Sequence, residues 1–259
     1  MKLRDGRELV VHDTGVGEAL TLVWHHGSPA TGALLDPLSR AAGERDIRLV
    51  SFGRAGYGGS TPLPGRSIAS IADDVAELGI EKFAVMGYSG GGPHALACAA
   101  LLPQRVVAAV TFGCPAPLTD EFDWFAGMAD EGALRASIAG VRAEYDGGFV
   151  EESFLDRDYA ALAGSWSALN ADVQAALAQG GDGMIADDDA LVESWGFDLD
   201  TIHAPVLLNH GALDRVIPVS HGRFLARYGL LREVPDDGHV SILDHAASAM
   251  DWLLDNREN

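Results

Sequence analysis

Residues 83 to 106 read FAVMGYSGGGPHALACAALLPQRV, and this stretch changes character twice. An apolar run of strand type ends at Gly87, glycines surround the single residue Ser89, and an alanine-rich segment of helical type follows. The five residues from Gly87 to Gly91 fit the pattern G-x-S-x-G between a strand and a helix. Glycine has no Cβ to obstruct so tight a turn. The stretch therefore predicts a strained elbow that exposes Ser89 as a nucleophile, rather than a serine that only caps a helix.

Strand-like and helix-like segments alternate along most of the chain. The later apolar runs are DIRLVSFG, KFAVMGYS, VVAAVTFG, APVLLNHG and LLREVP. Continuous apolar strands that alternate with helices are typical of a mainly parallel sheet covered by helices on both faces, so the fold class predicted is α/β. The first two strands, ELVVHDTG and ALTLVWHHG, lie close together in the chain. We expect them to form an antiparallel hairpin at the edge of the sheet.

The alternation stops between about residues 119 and 200, where glycine-broken helical segments take over. We therefore predict an α/β core from residues 1–118 and 201–259, with residues 119–200 inserted as a helical cap, or lid. The cap holds 19 acidic and 3 basic residues, and so 16 of the 20 net negative charges. We expect most of these carboxylates to face water. Its large apolar side chains, which we expect to line a substrate pocket, are Trp124, Phe125, Met128, Trp166 and Trp195.

The overall charge argues against two classes of partner. With 18 basic and 38 acidic residues, the chain has no basic footprint for the phosphates of a nucleic acid or for an anionic membrane. It has neither an apolar signal segment nor a run long enough to span a bilayer, which predicts a soluble cytoplasmic protein. Cys98 and Cys114 lie in segments of buried type and are predicted to be free thiols in a reducing compartment. The partner that we expect is a small-molecule substrate.

A serine nucleophile needs a base to take its proton and an acid to orient that base. His239, in VPDDGHVSIL, lies in the loop after the last apolar strand and is predicted to be the base. Asp214, in LLNHGALDRVIP, follows the strand before it and is predicted to be the acid. Asp236 and Asp237 are closer to the histidine in sequence but are interpreted as a solvated turn. The order Ser89, Asp214, His239 is the order of a hydrolase triad on an α/β sheet.

The oxyanion of the reaction also needs hydrogen-bond donors. The loop HHGSPATG follows an early strand, and its backbone N–H at Ser28 pairs naturally with that of Gly90, directly after the nucleophile. These two groups are predicted to form the oxyanion hole. His25 and His26 stand side by side without the ligand spacing of a zinc site, so we predict no metal and no other cofactor.

Five motifs together resemble those of the α/β-hydrolase superfamily over nearly the whole chain. HHGSP is similar to its oxyanion loop, FGRAGYGGS to the loop after the next strand, and GYSGGG to its nucleophile elbow. GALDRVIP and DDGH are similar to its acid and histidine loops. The serine at position 89 argues against the haloalkane dehalogenase and epoxide hydrolase branches, which attack through a carboxylate. The resemblance implies a carboxylesterase-like serine hydrolase that cleaves an ester, or a thioester, through an acyl-enzyme intermediate.

Four other functions remain open at this stage. The acidic cap would suit an aminopeptidase similar to proline iminopeptidases, in which carboxylates such as Asp187, Asp188 or Asp189 bind a substrate ammonium. A carbon–carbon bond hydrolase and a cofactor-free peroxidase share the same fold. A ligand receptor without turnover could use the same scaffold, although the complete set of triad residues argues against it. The motifs define the fold and not the substrate.

Overall fold

A computed structural model describes residues 1–258 and shows one seven-stranded sheet in the order β1-β3-β2-β4-β5-β6-β7. All neighbouring strands run parallel except β1 against β3. This architecture confirms the predicted α/β class. The strands are β1 (Val11–Asp13), β2 (Leu20–His25), β3 (Ile47–Phe52), β4 (Phe83–Tyr88), β5 (Val106–Phe112), β6 (Val206–Gly211) and β7 (Leu230–Val234).

Helices cover both faces of this sheet because its strands alternate apolar side chains between two cores. Val85 of β4 belongs to one core cluster, and its neighbour Met86 belongs to the other. Every residue of β4, β5 and β6 is buried, as the continuous apolar runs predicted. The helices are α1 (Asp36–Gly43), α2 (Ile71–Glu77), α3 (Gly91–Leu101), α4 (Gly132–Ile138), α5 (Asp156–Ala163), α6 (Ser167–Ala178), α7 (Asp182–Val192), α8 (Val219–Leu225) and α9 (Ala246–Asp255).

The first two strands do not form the predicted hairpin, and that prediction was wrong. β1 pairs with β3, with Val11 opposite Phe52, whereas β2 lies between β3 and β4 and runs parallel to both. The last four residues of β2 are buried, so this strand needs a partner on each side. β1 has three residues and ends at the exposed Asp13, which suits the edge of a sheet.

The residues that we call the cap, 119–200, lie between β5 and β6 and contain α4 to α7 with short 3₁₀ turns. None of the strands described in residues 1–258 falls within it. The exact division into core and cap stays a prediction. Both cysteines are buried and neither forms a disulfide in the described chain. No helix within residues 1–258 combines the length and the apolar character needed to cross a bilayer.

Candidate active site

The elbow around Ser89 holds that residue in an unusual backbone conformation. Its φ is +52°, in the left-handed region that a non-glycine residue adopts rarely and at a cost. The first and last residues of the motif must be glycines, because other parts of the backbone lie where their Cβ atoms would be. A Cβ at Gly87 would overlap the carbonyl oxygen of Gly91, and a Cβ at Gly91 would overlap that of His25. The sequence GYSGG therefore closes a turn between β4 and α3 that larger side chains could not close.

The three residues predicted as a triad are brought into one hydrogen-bonded chain. His239 Nδ1 lies 2.7 Å from Asp214 Oδ2, and His239 Nε2 lies 2.9 Å from Ser89 Oγ. With a neutral imidazole, Nδ1–H donates to the carboxylate, which leaves Nε2 to accept from the serine hydroxyl. The three side chains follow β4, β6 and β7, so they meet at the carboxyl edge of the parallel sheet. This arrangement can transfer the serine proton to the imidazole.

Asp214 is held in place by its own loop. Its Oδ1 accepts hydrogen bonds from the backbone N–H groups of Val216 and Ile217, both at 2.9 Å. His210 stands behind it, with Nε2 2.7 Å from the carbonyl oxygen of Ile217 and 3.8 Å from Asp214 Oδ2. Burial lowers the pKa of His210, so this ring is neutral and donates to the carbonyl. His210 was not predicted from the sequence. Its position directly before Gly211, at the end of β6, could have indicated a residue of the site.

Asp237 is not the solvated residue that the sequence predicted. It is fully buried, with Oδ2 2.9 Å from His245 Nε2 and Oδ1 2.9 Å from Arg157 Nε. Its neighbour Asp236 is exposed, as expected. The prediction for Asp237 was wrong because the cap residue Arg157 covers the turn, and a contact of such long range leaves no local pattern in the sequence. The acid that contacts His239 is Asp214.

The two predicted oxyanion donors lie next to each other. A Cβ built on Gly90 would be 3.8 Å from the backbone nitrogen of Ser28. Among the described residues, neither of these N–H groups donates a hydrogen bond to another part of the chain. Unpaired N–H groups beside a nucleophile are suited to bind developing negative charge. Their role as an oxyanion hole stays a prediction.

A buried ion cluster lies behind the oxyanion loop and was not predicted. Asp187 lies in α7 of the cap. Its Oδ2 accepts a hydrogen bond from Arg54 Nη2, and its Oδ1 accepts one from Arg66 Nη2, both at 2.6 Å. Tyr57 Oη donates to the same carboxylate at 2.9 Å, and Ser28 Oγ donates to it as well. Burial disfavours the charged carboxylate, but Arg54 and Arg66 together hold the pKa of Asp187 well below its usual range. Its oxygens are therefore occupied by cations and donors of the protein itself.

Residues 21–246 match the sequence profile of the family described as alpha/beta hydrolase fold. The chain belongs to this family. It is 27% identical over 239 residues to a non-heme chloroperoxidase of Streptomyces lividans, and the alignment covers 83% of this chain and 81% of that protein. A thermophilic esterase from Thermogutta terrifontis has a TM-score of 0.70 at 23% identity, over 97% of this chain and 94% of its own. The esterase EaEST from Exiguobacterium antarcticum has a TM-score of 0.72 at 20% identity, over 100% and 98% of the two chains.

The aromatic residues predicted to line a pocket of this α/β hydrolase lie mostly in packed surroundings. Trp124, Trp166 and Trp195 are each less than 5% exposed. Their indole N–H groups donate to Ala116 O, Asp244 Oδ1 and Leu191 O at 2.9, 2.9 and 3.3 Å. Phe125 packs edge-on against Trp124 and lies under the guanidinium of Arg135. Met128 is half-buried. These contacts favour a packing role for the three tryptophans, and a pocket formed by the five residues stays a prediction.

His221 fastens the start of the cap of this hydrolase to α8. Its Nδ1 accepts from the backbone N–H of Ala116 at 3.1 Å, and its Nε2 donates to the carbonyl oxygen of Trp124 at 2.9 Å. The rings of Phe122 and Trp124 pack against it at nearly right angles. Burial lowers the pKa of His221 to about 4. The ring is thus a neutral structural residue.

Proposed function

We propose that this α/β hydrolase cleaves a carboxylic ester, or a thioester, of a small molecule by acyl transfer through Ser89. The observation that supports this most directly is the chain of two hydrogen bonds from Asp214 through His239 to Ser89, at 2.7 and 2.9 Å. A hydroxyl with a base on one side and unpaired N–H groups on the other is equipped to attack a carbonyl carbon.

In the first half of the proposed reaction, Ser89 Oγ forms a bond to the carbonyl carbon and its proton passes to His239 Nε2. The carbonyl oxygen becomes an oxyanion, which accepts hydrogen bonds from the N–H groups of Ser28 and Gly90. When the tetrahedral intermediate collapses, the bond to the leaving oxygen or sulfur breaks. The leaving group takes the proton from His239, so an alcohol or thiol departs and an acyl-Ser89 ester remains.

In the second half, water replaces the leaving group. His239 Nε2 accepts a proton from the water as its oxygen bonds to the acyl carbon, and it then returns that proton to Ser89 Oγ as the acyl bond breaks. The products are a carboxylic acid and the free serine. Asp214 stabilises the imidazolium in both halves, and the two N–H donors of its loop keep it in the orientation that Nδ1–H requires.

The surroundings of two cap carboxylates argue against their use as anchors for a peptide amine. Asp187 is enclosed by Arg54 and Arg66, so it offers no free oxygen to a substrate ammonium. Asp188 accepts from Arg142 Nε at 2.6 Å, and burial raises its pKa to about 6. A carboxylate that is already paired with a guanidinium of the protein is a poor anchor for an amine. The aminopeptidase alternative therefore gains no support from these two residues.

A second candidate is a cofactor-free peroxidase activity, which the similarity to a non-heme chloroperoxidase over 83% of this chain favours. In this version hydrogen peroxide takes the place of water and attacks the acyl-Ser89 ester. The products are a peracid and the free serine, so the same triad serves both activities. We expect peracid formation from an ester and hydrogen peroxide to depend on Ser89 as hydrolysis does.

The experiment that tests the proposal is a substrate panel on the wild type and Ser89→Ala. The panel contains p-nitrophenyl esters, an acyl thioester, and prolyl and alanyl amides, and a fluorophosphonate probe reports the nucleophile by intact-mass spectrometry. We expect ester or thioester turnover and one probe label, both absent in Ser89→Ala. Equal labelling of the variant would show that Ser89 is not the nucleophile. A strong preference for the amides would show that the protein is a peptidase and not an esterase.

A further inference from the structure

Three cap helices each carry one buried aspartate. Asp158 in α5, Asp172 in α6 and Asp187 in α7 are 0, 9 and 1% exposed. Burial of a carboxylate costs free energy unless hydrogen bonds or cations compensate it. Most of the partners that compensate these three belong to the core, in the loop of His239, the loop of Ser28 and the segment after β3 that carries Arg54 and Arg66. These three are the buried exceptions, because the other carboxylates of the cap are exposed or half-buried, as expected.

Asp158 holds the loop of the catalytic histidine. Its Oδ1 accepts from the backbone N–H groups of Val240 and Ser241, at 2.9 and 2.7 Å, and from Ser241 Oγ at 2.9 Å. Its Oδ2 lies so close to Gly238 that a Cβ there would overlap it. The residues on both sides of His239 therefore contact one carboxylate of the cap.

Asp172 holds the oxyanion loop from a second helix. Its Oδ2 accepts from the backbone N–H of Thr31 at 3.0 Å, and its Oδ1 accepts from the hydroxyl of the same threonine. Thr31 follows Ser28 by three residues in that loop. The backbone beyond the predicted oxyanion donor is thus fixed to α6.

Asp187 holds the other side of the same loop, directly and through Arg54. Ser28 Oγ donates to the carboxylate. Arg54, paired with Asp187, donates to Ser28 Oγ at 3.0 Å and to the carbonyl oxygens of His26 and Gly27. Three consecutive residues of the oxyanion loop therefore contact one buried ion pair between cap and core.

We infer that Asp158, Asp172 and Asp187 are positioning residues, which hold the His239 ring and the Ser28 N–H at the distances from Ser89 that acyl transfer needs. The inference rests on the proposed serine-hydrolase function. A catalytic group must stay within about 0.5 Å of its productive position, and loops alone hold such positions poorly. Asp158 and Asp172 bind backbone N–H groups within three residues of His239 and of Ser28, and Asp187 binds the hydroxyl of Ser28 itself. A shift of α5, α6 or α7 therefore moves the site. The cap therefore helps to hold the loops of His239 and Ser28 in the positions that catalysis requires.

The test measures three isosteric variants, Asp158→Asn, Asp172→Asn and Asp187→Asn, with p-nitrophenyl butyrate as substrate. Asp156→Asn and Asp182→Asn are matched controls, since these exposed aspartates lie in α5 and α7. Assays run below the unfolding temperature of every variant, as checked by circular dichroism. We expect kcat to fall by about 10- to 100-fold in the three variants, with KM within about threefold, because misplacement by about 1 Å has effects of this size. The controls should match the wild type.

The pH profile separates the two loops. Asp158→Asn loosens His239 from Asp214 and should move the acid limb of kcat/KM to lower pH, because the imidazolium loses part of its carboxylate contact. Asp172→Asn and Asp187→Asn act on the oxyanion loop and should slow fluorophosphonate labelling while the acid limb stays in place. Asp187→Asn leaves two buried guanidinium groups without their anion. If it fails to fold in consequence, Asp158→Asn and Asp172→Asn alone test the inference.

Wild-type kcat in folded Asp158→Asn and Asp172→Asn, with an unshifted acid limb in Asp158→Asn and wild-type labelling in Asp172→Asn, would overturn the inference and leave these carboxylates only a role in stability. A wild type that neither turns over esters nor labels at Ser89 would instead overturn the proposed function.

Discussion

His221 makes the stability of this hydrolase depend on pH in a way that can be calculated. In the folded protein its pKa lies at about 4, because burial disfavours the imidazolium. In the unfolded chain an imidazole has its ordinary pKa near about 6.5. Between these two values the unfolded chain binds a proton that the folded protein does not, so the free energy of unfolding rises with pH across this window.

The size of the effect follows from about 1.4 kcal/mol for each pKa unit. The full shift makes the folded state about 3 kcal/mol less stable at pH values below the folded pKa than at neutral pH, and about 2 kcal/mol of this is lost on going from about pH 7.5 to pH 5. Protonation also removes the acceptor that Nδ1 offers to the N–H of Ala116, which agrees with the direction of the shift. Other buried histidines add to the total pH dependence, so only a difference between variants isolates His221.

The assay is urea unfolding of the wild type and His221→Gln at several pH values, followed by circular dichroism. At neutral pH the variant should be less stable because two buried hydrogen bonds are broken, at about 1–3 kcal/mol. We expect the stability difference to shrink by about 2 kcal/mol between about pH 7.5 and 5, because only the wild type loses stability through this ring. His203→Gln, at an exposed position, is the surface control. A difference that stays constant over this range would refute the assignment of His221 as a buried neutral ring.

Three further outcomes are expected. Ser89→Ala/His239→Ala should be scarcely slower than the worse single variant, because triad members act as a unit; losses in kcat/KM that multiply would show that His239 is not the base for Ser89. Gly91→Ala should be destabilised by at least about 1–3 kcal/mol, since its Cβ would overlap the carbonyl oxygen of His25, whereas Gly43→Ala at the open end of α1 should not be; thermal unfolding compares them. The net charge of −20 should favour a cationic ester over its neutral isostere. The ratio of kcat/KM for butyrylcholine to that for 3,3-dimethylbutyl butyrate should fall as salt rises from about 20 to 500 mM, and an unchanged ratio would contradict electrostatic steering.

The fold class, and the three residues that the structure joins by hydrogen bonds at Ser89, could be predicted from the sequence because both leave local signals. The elbow at Ser89 needs glycines at fixed spacing, and Asp214 and His239 each follow an apolar strand directly. Their meeting then follows from the parallel sheet, whose strands end at one edge. The resemblance of five separate motifs to one family added a further constraint, which the family match over residues 21–246 confirms.

Features that depend on distant partners were missed. The pairing of β1 with β3 is a choice among strand edges, and closeness in sequence favoured the wrong neighbour. In the run Asp187 to Asp189, nothing local distinguishes the residue that is enclosed by two arginines. Asp237 became buried for the same kind of reason, since Arg157 approaches it from the cap. Burial of a single charge is decided by tertiary contacts, and a composition count cannot assign it.

The ion cluster at Asp187 limits how this chain can recombine with its relatives. A chimera that received a foreign cap would keep Ser89 and His239, but it would leave Arg54 and Arg66 buried in the core without their anion. An uncompensated buried charge costs about 3–5 kcal/mol, a large part of the stability of a typical domain. Exchange of caps is therefore expected to succeed only when the incoming segment brings a carboxylate to this point, or when both arginines are replaced with it.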